Sequence, residues 1–226
     1  EMAAKYHIML DVHEPIKPTG IRRTWPNMMT REGVRGMEWD AWSEGNPPSH
    51  TLIIPFTRGL GGPTDYTPGT FDVLFLNAGE RIKCNTDDIS KTRVHTTLAK
   101  QLANFVILYS PLQMASDLPK NYQSHPAFQF ISDYNADTDE SRVLNGEIGE
   151  YITVVRRAGN EWFLGSATNE TARKLSVKLD FLEHGSTYQA RIYRDADDAH
   201  WITNPTAYCI ENKTVCADDT IELQLA

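Results

Sequence analysis

Between Asp11 and Trp42 the chain reads D-V-H-E-P-I-K-P-T-G-I-R-R-T-W-P-N-M-M-T-R-E-G-V-R-G-M-E-W-D-A-W. Glu14, Glu32 and Glu38 stand there among His13, Lys17, Arg22, Arg23, Trp25, Trp39 and Trp42. Splitting a glycosidic bond needs a pair of carboxyl groups and gains from aromatic faces against the sugar, so this segment is a candidate site for that chemistry. Glu14 ends an apolar run from His7 to Val12, and Pro15 stops the strand behind it. In (β/α) barrels, side chains at the carboxyl ends of strands point into the active site. A strand-end acid in a surface ion pair is the ordinary alternative. Glu32 and Glu38 lie six apart around Gly33 and Gly36, which disfavour a helix. In extended chain that even spacing sets both on one side. Converging carboxylates repel unless a cation or a shared proton relieves them. Glutamate oxygens suit Ca²⁺ better than zinc, and a raised-pKa acid beside an ionised base is the other solution. The spacing also fits a solvated acidic loop, and each tryptophan also fits a core position.

The elements that must position these residues have two textures. Up to about residue 141, short apolar strands alternate with helices and Pro/Gly loops, an α/β layout. Strands are expected at His7–His13, at Ser49–Phe56 and at Asp72–Phe75, with a glycine-rich loop from Thr57 to Tyr66 lining the same pocket. That loop lacks the Lys-Ser/Thr ending of a P-loop and is not read as phosphate-binding. Thr92–Tyr109 has helical periodicity, with Leu98, Leu102, Phe105, Val106 and Tyr109 on one stripe. A second short helix is expected over Pro126–Ser132. From residue 142 to 226 the alternation is that of an antiparallel β-domain, with strands at 149–157, 161–166, 174–179, 188–193 and 220–225 and a turn at Ala158-Gly159-Asn160.

Composition narrows the function classes. With 22 Lys and Arg against 30 Asp and Glu, the net charge is −8, which argues against nucleic acid or an anionic membrane surface as partner. No apolar run approaches the roughly 20 residues of a membrane span, and no signal peptide is visible. The abrupt opening at Glu1–Tyr6 looks like the end of a helix and suggests that the natural N-terminus lies further upstream. A turn at Asn212-Lys213 would oppose Cys209 to Cys216 in a hairpin, where a disulfide could form; otherwise both are reduced strand cysteines. Cys84 is left as an ordinary thiol. Asp195, Asp197 and Asp198 form an acidic cluster, read as a solvated turn rather than a calcium site. No G-x-S-x-G, H-E-x-x-H or C-x-x-C pattern supports other catalytic chemistry.

The motifs H-E-P-I-K-P-T-G-I-R-R-T-W-P-N, R-E-G-V-R-G-M-E-W, P-F-T-R-G-L-G-G-P-T-D-Y-T-P-G and G-E-I-G-E-Y-I-T-V-V-R-R-A-G-N-E-W-F-L-G-S resemble, in order, the C-terminal part of glycoside hydrolase family 97. The resemblance implies a fold that is α/β plus all-β: residues 1–141 as the C-terminal portion of a catalytic (β/α)₈ barrel, 142–226 as a sandwich-like antiparallel domain. It implies a Ca²⁺-dependent periplasmic bacterial enzyme acting on α-glucosides or α-galactosides of oligosaccharides. Glu14 then matches the general base and a calcium ligand, Glu32 a calcium ligand, Glu38 the general acid close to the calcium, and His13 a substrate contact. Retaining members carry Gly in place of Glu14 and take an Asp nucleophile from an earlier strand, so Glu14 implies inversion and an α-glucosidase. A retaining α-galactosidase, or a noncatalytic glycan-binding fragment with Trp25 and Trp42 as platforms, is the alternative. A full barrel takes about 200–250 residues. The expectation is therefore a fragment completed by the missing N-terminal part of the same enzyme or by a self-paired dimer.

Overall fold

The computed structural model describes residues 1–15, 17, 19–77 and 92–226, so the expectation for Cys84 lies outside the described residues. The first element is a single helical turn, α1 (Met2–Lys5), followed by strand β1 (Leu10–Val12), the turn α2 (Ile21–Thr24) and strand β2 (Met28–Arg31). β1 and β2 pair in parallel, with Asp11 opposite Thr30 and Val12 opposite Arg31. This is the one parallel pair among the described residues of the N-terminal half, and the barrel expected over residues 1–141 is not seen as such. The turn α3 (Trp39–Trp42) follows.

Two expected strands are absent. Ser49–Phe56 forms consecutive 3₁₀ turns, Pro48–Leu52 and Ile54–Phe56, followed by a third at Arg58–Gly61. Pro47, Pro48 and Pro55 withhold backbone donors and favour the first turn of a helix, which overrides the apolar run. Asp72–Phe75 is a turn in which the Asp72 carboxylate accepts the N–H groups of Leu76 and Asn77, at 2.8 and 2.6 Å. Such local side-chain bonds replace a strand ladder.

The helical stripe is borne out as α4 (Leu98–Ile107), shorter than the periodic segment. Thr97 caps it, accepting the N–H of Lys100 at 3.3 Å. Leu98, Leu102, Phe105 and Val106 are all buried. After the turn α5 (Pro119–Tyr122), the second expected helix appears as α6 (Phe128–Asp133).

The C-terminal strands are β3 (Glu140–Glu147), β4 (Tyr151–Ala158), β5 (Glu161–Thr168), β6 (Arg173–Lys178), β7 (Thr187–Asp195), β8 (Tyr208–Cys216) and β9 (Thr220–Leu225). All pairings are antiparallel: β3-β4-β5, β6-β9 and β7-β8. The Gly159-Asn160 turn joins β4 and β5, with Gly159 at φ +59°. Val155, Val215 and the 179–182 loop residues form a sandwich core joined by Trp162, Leu164, Tyr188 and Ile221. The other face of β4 and β5 carries Ile152, Val154 and Ala167 into a core shared with Leu52, Ile54, Val94 and Ile107. β4 is thus buried on both faces and fixes the two halves to each other.

The cysteine expectation is overturned. Asn212-Lys213 is no turn; Cys209 and Cys216 sit at opposite ends of one continuous strand, opposite Arg194 and Thr187 respectively, and both are free. Seven steps of extended chain, about 23 Å, rule out a bridge between them. Asp195 also departs from expectation. It is buried and accepts the N–H of Ala226 at 3.0 Å, while Asp197 and Asp198 remain at the surface with Arg194 and Asn204. No helix of the described residues is long and apolar enough to cross a membrane.

One buried cation ties the halves. Lys100 of α4 donates through Nζ to the carbonyls of Pro48, at 2.6 Å, and Thr168, at 2.7 Å. Burial pushes its pKa from 10.5 down to about 7. Between those values the unfolded chain holds a proton that the folded chain has released, so stability rises with pH across that window. Lys100→Met is expected to abolish this rise and to cost about 2–4 kcal/mol by leaving two buried carbonyls without their hydrogen-bond donor. Urea denaturation below and above pH 7 measures both effects.

Candidate functional site

The carboxyl ends of β1 and β2 deliver the acidic residues together. Glu32 directly follows β2, and its N–H bonds the carbonyl of Val12 at 3.0 Å, extending the parallel ladder by one residue. Its side chain is buried and accepts the backbone N–H of Glu14 at 3.4 Å. Gly36 leaves room for it: a Cβ there would lie 3.2 Å from Glu32 Oε1. Burial raises the Glu32 pKa, opposed by the Glu14 N–H and His13, while the charges of Glu38 and Glu14 add to the rise. Glu14 is exposed and holds φ +42°, a left-handed conformation that is costly for a residue with a Cβ. Such strain persists where surrounding structure imposes it, and it clusters at functional positions. Glu38 is exposed at the start of α3, which is anchored by buried Asp40 accepting the N–H of Asn46 at 2.7 Å.

His13 is held from the opposite side. Its Nε2 lies 2.8 Å from Oδ2 of Asp65, and its Nδ1 lies 3.9 Å from Glu32 Oε1. Asp65 is 3% exposed, and its other oxygen accepts the Thr67 hydroxyl at 2.8 Å. The Asp65 bond raises the His13 pKa; burial opposes it, and the charges of Glu32, Asp65 and Asp11 each add a smaller rise. Asp11 sits 3.9 Å from His13 Nε2; burial first, then the adjoining Asp65 carboxyl, push its pKa to about 6. Asp11, His13 and Asp65 form a group whose ligand atoms all lie within 4.8 Å of one another. Glu14, Glu32 and Glu38 are neighbours through Glu32 but do not form so tight a group among the described residues.

Asp11 and Asp65 are the site residues that sequence reading missed. Asp11 was available: it stands two before His13, hence on the same side of a strand. Asp65 was not, because only the fold brings it across 52 positions. The glycine-rich loop does line the site, as expected. Arg58 folds back to donate to the carbonyls of Arg31, at 2.9 Å, and Pro63, at 3.2 Å, and so delivers Asp65 beside β2. Trp39 and Trp42 pack on each other with ring centres 5.0 Å apart, and Arg35 lies over Trp39. Trp25 ends α2, half-buried.

Two family profiles match this chain: Glycoside hydrolase 97 over residues 1–34, and Glycosyl-hydrolase 97 C-terminal, oligomerisation, over residues 137–226. A protein of Bacteroides thetaiotaomicron named retaining alpha-galactosidase is 38% identical over 203 residues, which cover 88% of this chain and 30% of the relative. A family 97 enzyme of Pseudoalteromonas sp. strain K8, a glutamate-to-glutamine variant solved with panose, is 47% identical with a TM-score of 0.90, over 100% of this chain and 34% of its own. The same enzyme solved with acarbose is 48% identical, also with a TM-score of 0.90 and 34% of its length covered. The chain thus spans about a third of the length of these relatives.

Proposed function

Because this chain belongs to glycoside hydrolase family 97, we propose that it forms part of an enzyme that hydrolyses terminal α-glucosidic bonds of oligosaccharides with inversion. The observation that carries this reading is the glutamate at position 14, held in a left-handed conformation at the end of β1 with its N–H on Glu32. Retaining members place glycine there, as that backbone favours; a strained glutamate in its stead supports a role for its carboxylate. Glu38 acts as general acid on the leaving oxygen, and Glu14 as general base on water at the opposite face of the sugar. His13, its Nε2 fixed by Asp65, presents the ring to the substrate.

The all-oxygen donors of Glu14, Glu32 and Glu38 are of the kind Ca²⁺ takes, and Glu32, whose pKa is raised by burial first and then by the charges of Glu38 and Glu14, would gain from a cation beside it. When bound, the ion supplies positive charge that keeps these carboxylates ionised and orders water. Residues 1–141 make up the last part of the barrel and 142–226 the C-terminal β-domain. The barrel strands beside β1 come from the preceding part of the same enzyme; Met2, Tyr6, Ile8 and Met9, next to β1 in the chain, are exposed apolar residues that such a neighbour could cover. The compartment is the bacterial periplasm.

A retaining α-galactosidase is the second reading, favoured by the name of the 38% identical relative. The higher identity to the enzyme solved with panose, a trisaccharide of α-linked glucose, favours the glucoside. Proton NMR of an α-glucoside turned over by the complete enzyme separates the two. β-Glucose is expected first, with turnover lost on chelation and restored by calcium. α-Anomer first, or turnover of galactosides alone, would establish the second reading instead.

A further inference from the structure

Glu38 is exposed, so the aim of its carboxyl depends on the backbone that carries it. Three consecutive residues of that backbone are held by three separate partners. His50 donates through Nε2 to the carbonyl of Arg35 at 2.8 Å. Asn46 donates through Nδ2 to the carbonyl of Gly36 at 3.0 Å. Met37 donates its N–H to the carbonyl of Tyr66 at 3.0 Å. Beyond Glu38, the Asp40 carboxylate accepts the N–H of Asn46 at 2.7 Å. Asn46 thus grips the turn on both flanks of Glu38, at Gly36 and at Asp40, and all three residues are buried. We propose that Asn46 is the positioning residue of the general acid, setting Glu38 against the glycosidic oxygen through the backbone of this turn. The inference rests on the reading of Glu38 as that acid.

The chain builds this clamp from local signals. Gly45, at φ +88°, brings the backbone so close to α3 that a Cβ there would lie 2.6 Å from Asp40 Oδ1. Pro47 disfavours helical backbone at Asn46, and the 3₁₀ turn Pro48–Leu52 then carries His50 to Arg35. Asn46 is 4% exposed, so its amide reaches the turn and not the substrate. Without that amide the Gly36 carbonyl keeps only the N–H of Trp39, at 3.3 Å, and the turn is free to shift. A general acid works only from within hydrogen-bond reach of the leaving oxygen, and a misplacement of about 1 Å can cost about 10²-fold. An asparagine that merely stabilised the turn would, when replaced, lower activity on every substrate alike. One that aims the acid matters only where the leaving group needs a proton.

The test compares two substrates of the complete enzyme: an α-linked glucose disaccharide and a nitrophenyl α-glucoside, whose phenolate departs without a proton. Asn46→Ala is expected to lower kcat on the disaccharide by about 10–100-fold and on the nitrophenyl glucoside by less than about threefold, with KM for both nearly unchanged. In a Glu38→Gln background the same substitution is expected to cost less than about twofold more, because its effect runs through the carboxyl already removed. Turnover of the nitrophenyl glucoside also reports that the variant is folded. If Asn46→Ala does not fold, Asn46→Ser, which leaves a hydroxyl in the gap, is measured in its place with the same expectations. Equal losses on both substrates with the Asn46 variant, an unchanged kcat, or a loss that multiplies in full with that of Glu38→Gln would each overturn the positioning role while leaving Glu38 as the acid. Equal losses on both substrates with Glu38→Gln itself would instead overturn the catalytic reading, and the positioning role with it.

Discussion

Replacing Glu38 with Gln in the complete enzyme is expected to lower kcat by about 10²–10⁴-fold, the usual contribution of a positioned acid or base. The size of the loss depends on the leaving group. A leaving phenol of low pKa departs without a proton, so its glucoside loses much less with Glu38→Gln than a disaccharide does. Glu14→Gln removes the group that activates water, and its loss is expected to be alike for both substrates. Equal losses for both substrates with Glu38→Gln would exclude Glu38 as the acid; near-normal turnover with Glu14→Gln would exclude Glu14 as the base. Position 14 offers a further separation of stability from activity. Its φ of +42° suits glycine, so Glu14→Gly is expected to raise stability by about 1 kcal/mol while abolishing turnover. A glutamate retained there only as a surface acid would show the first effect without the second.

The second large effect lies in the scaffold. Gly165 of β5 packs directly under α4: a Cβ there would lie 2.7 Å from the Ala103 carbonyl oxygen and 2.8 Å from Val106 Cβ. Neither neighbour is the free end of a flexible side chain, so relief requires the helix to move off the sheet. Overpacking of this kind costs about 3 kcal/mol for Gly165→Ala, against a total stability of roughly 5–15 kcal/mol. The expected fall in Tm is about 10 °C for a chain of this length. Gly165→Val exceeds what the fold can absorb and is expected to be insoluble. Urea denaturation at unchanged m-value measures the alanine variant, and a loss below about 1 kcal/mol would show that α4 can shift freely.

Much of the C-terminal half was legible in the sequence because its signals are local. Alternation marked β4, β5, β6, β7 and β9, and a Gly-Asn pair marked the turn between β4 and β5. The helical stripe of α4 and its burial followed from spacing alone. The sequence also placed Glu14 at a strand end, since Pro15 forbids continuation. What failed were inferences in which a local pattern competed with a nonlocal one. The apolar run 49–56 looked like a strand, but its prolines cannot supply ladder donors, and the segment coils into 3₁₀ turns. Asn212-Lys213 looked like a turn, but nine residues of β7 offered a continuous ladder, and pairing over the whole length won. For the candidate site, the sequence determined the carboxylates and the residue types. Only the tertiary structure decided that Asp65 holds His13, that the carboxylate of half-buried Asp11 lies beside them and that Glu32 accepts the Glu14 N–H. Those contacts span 18 to 54 positions. They exist because parallel pairing of β1 with β2, and the Arg58-braced loop, close distances that no local pattern encodes.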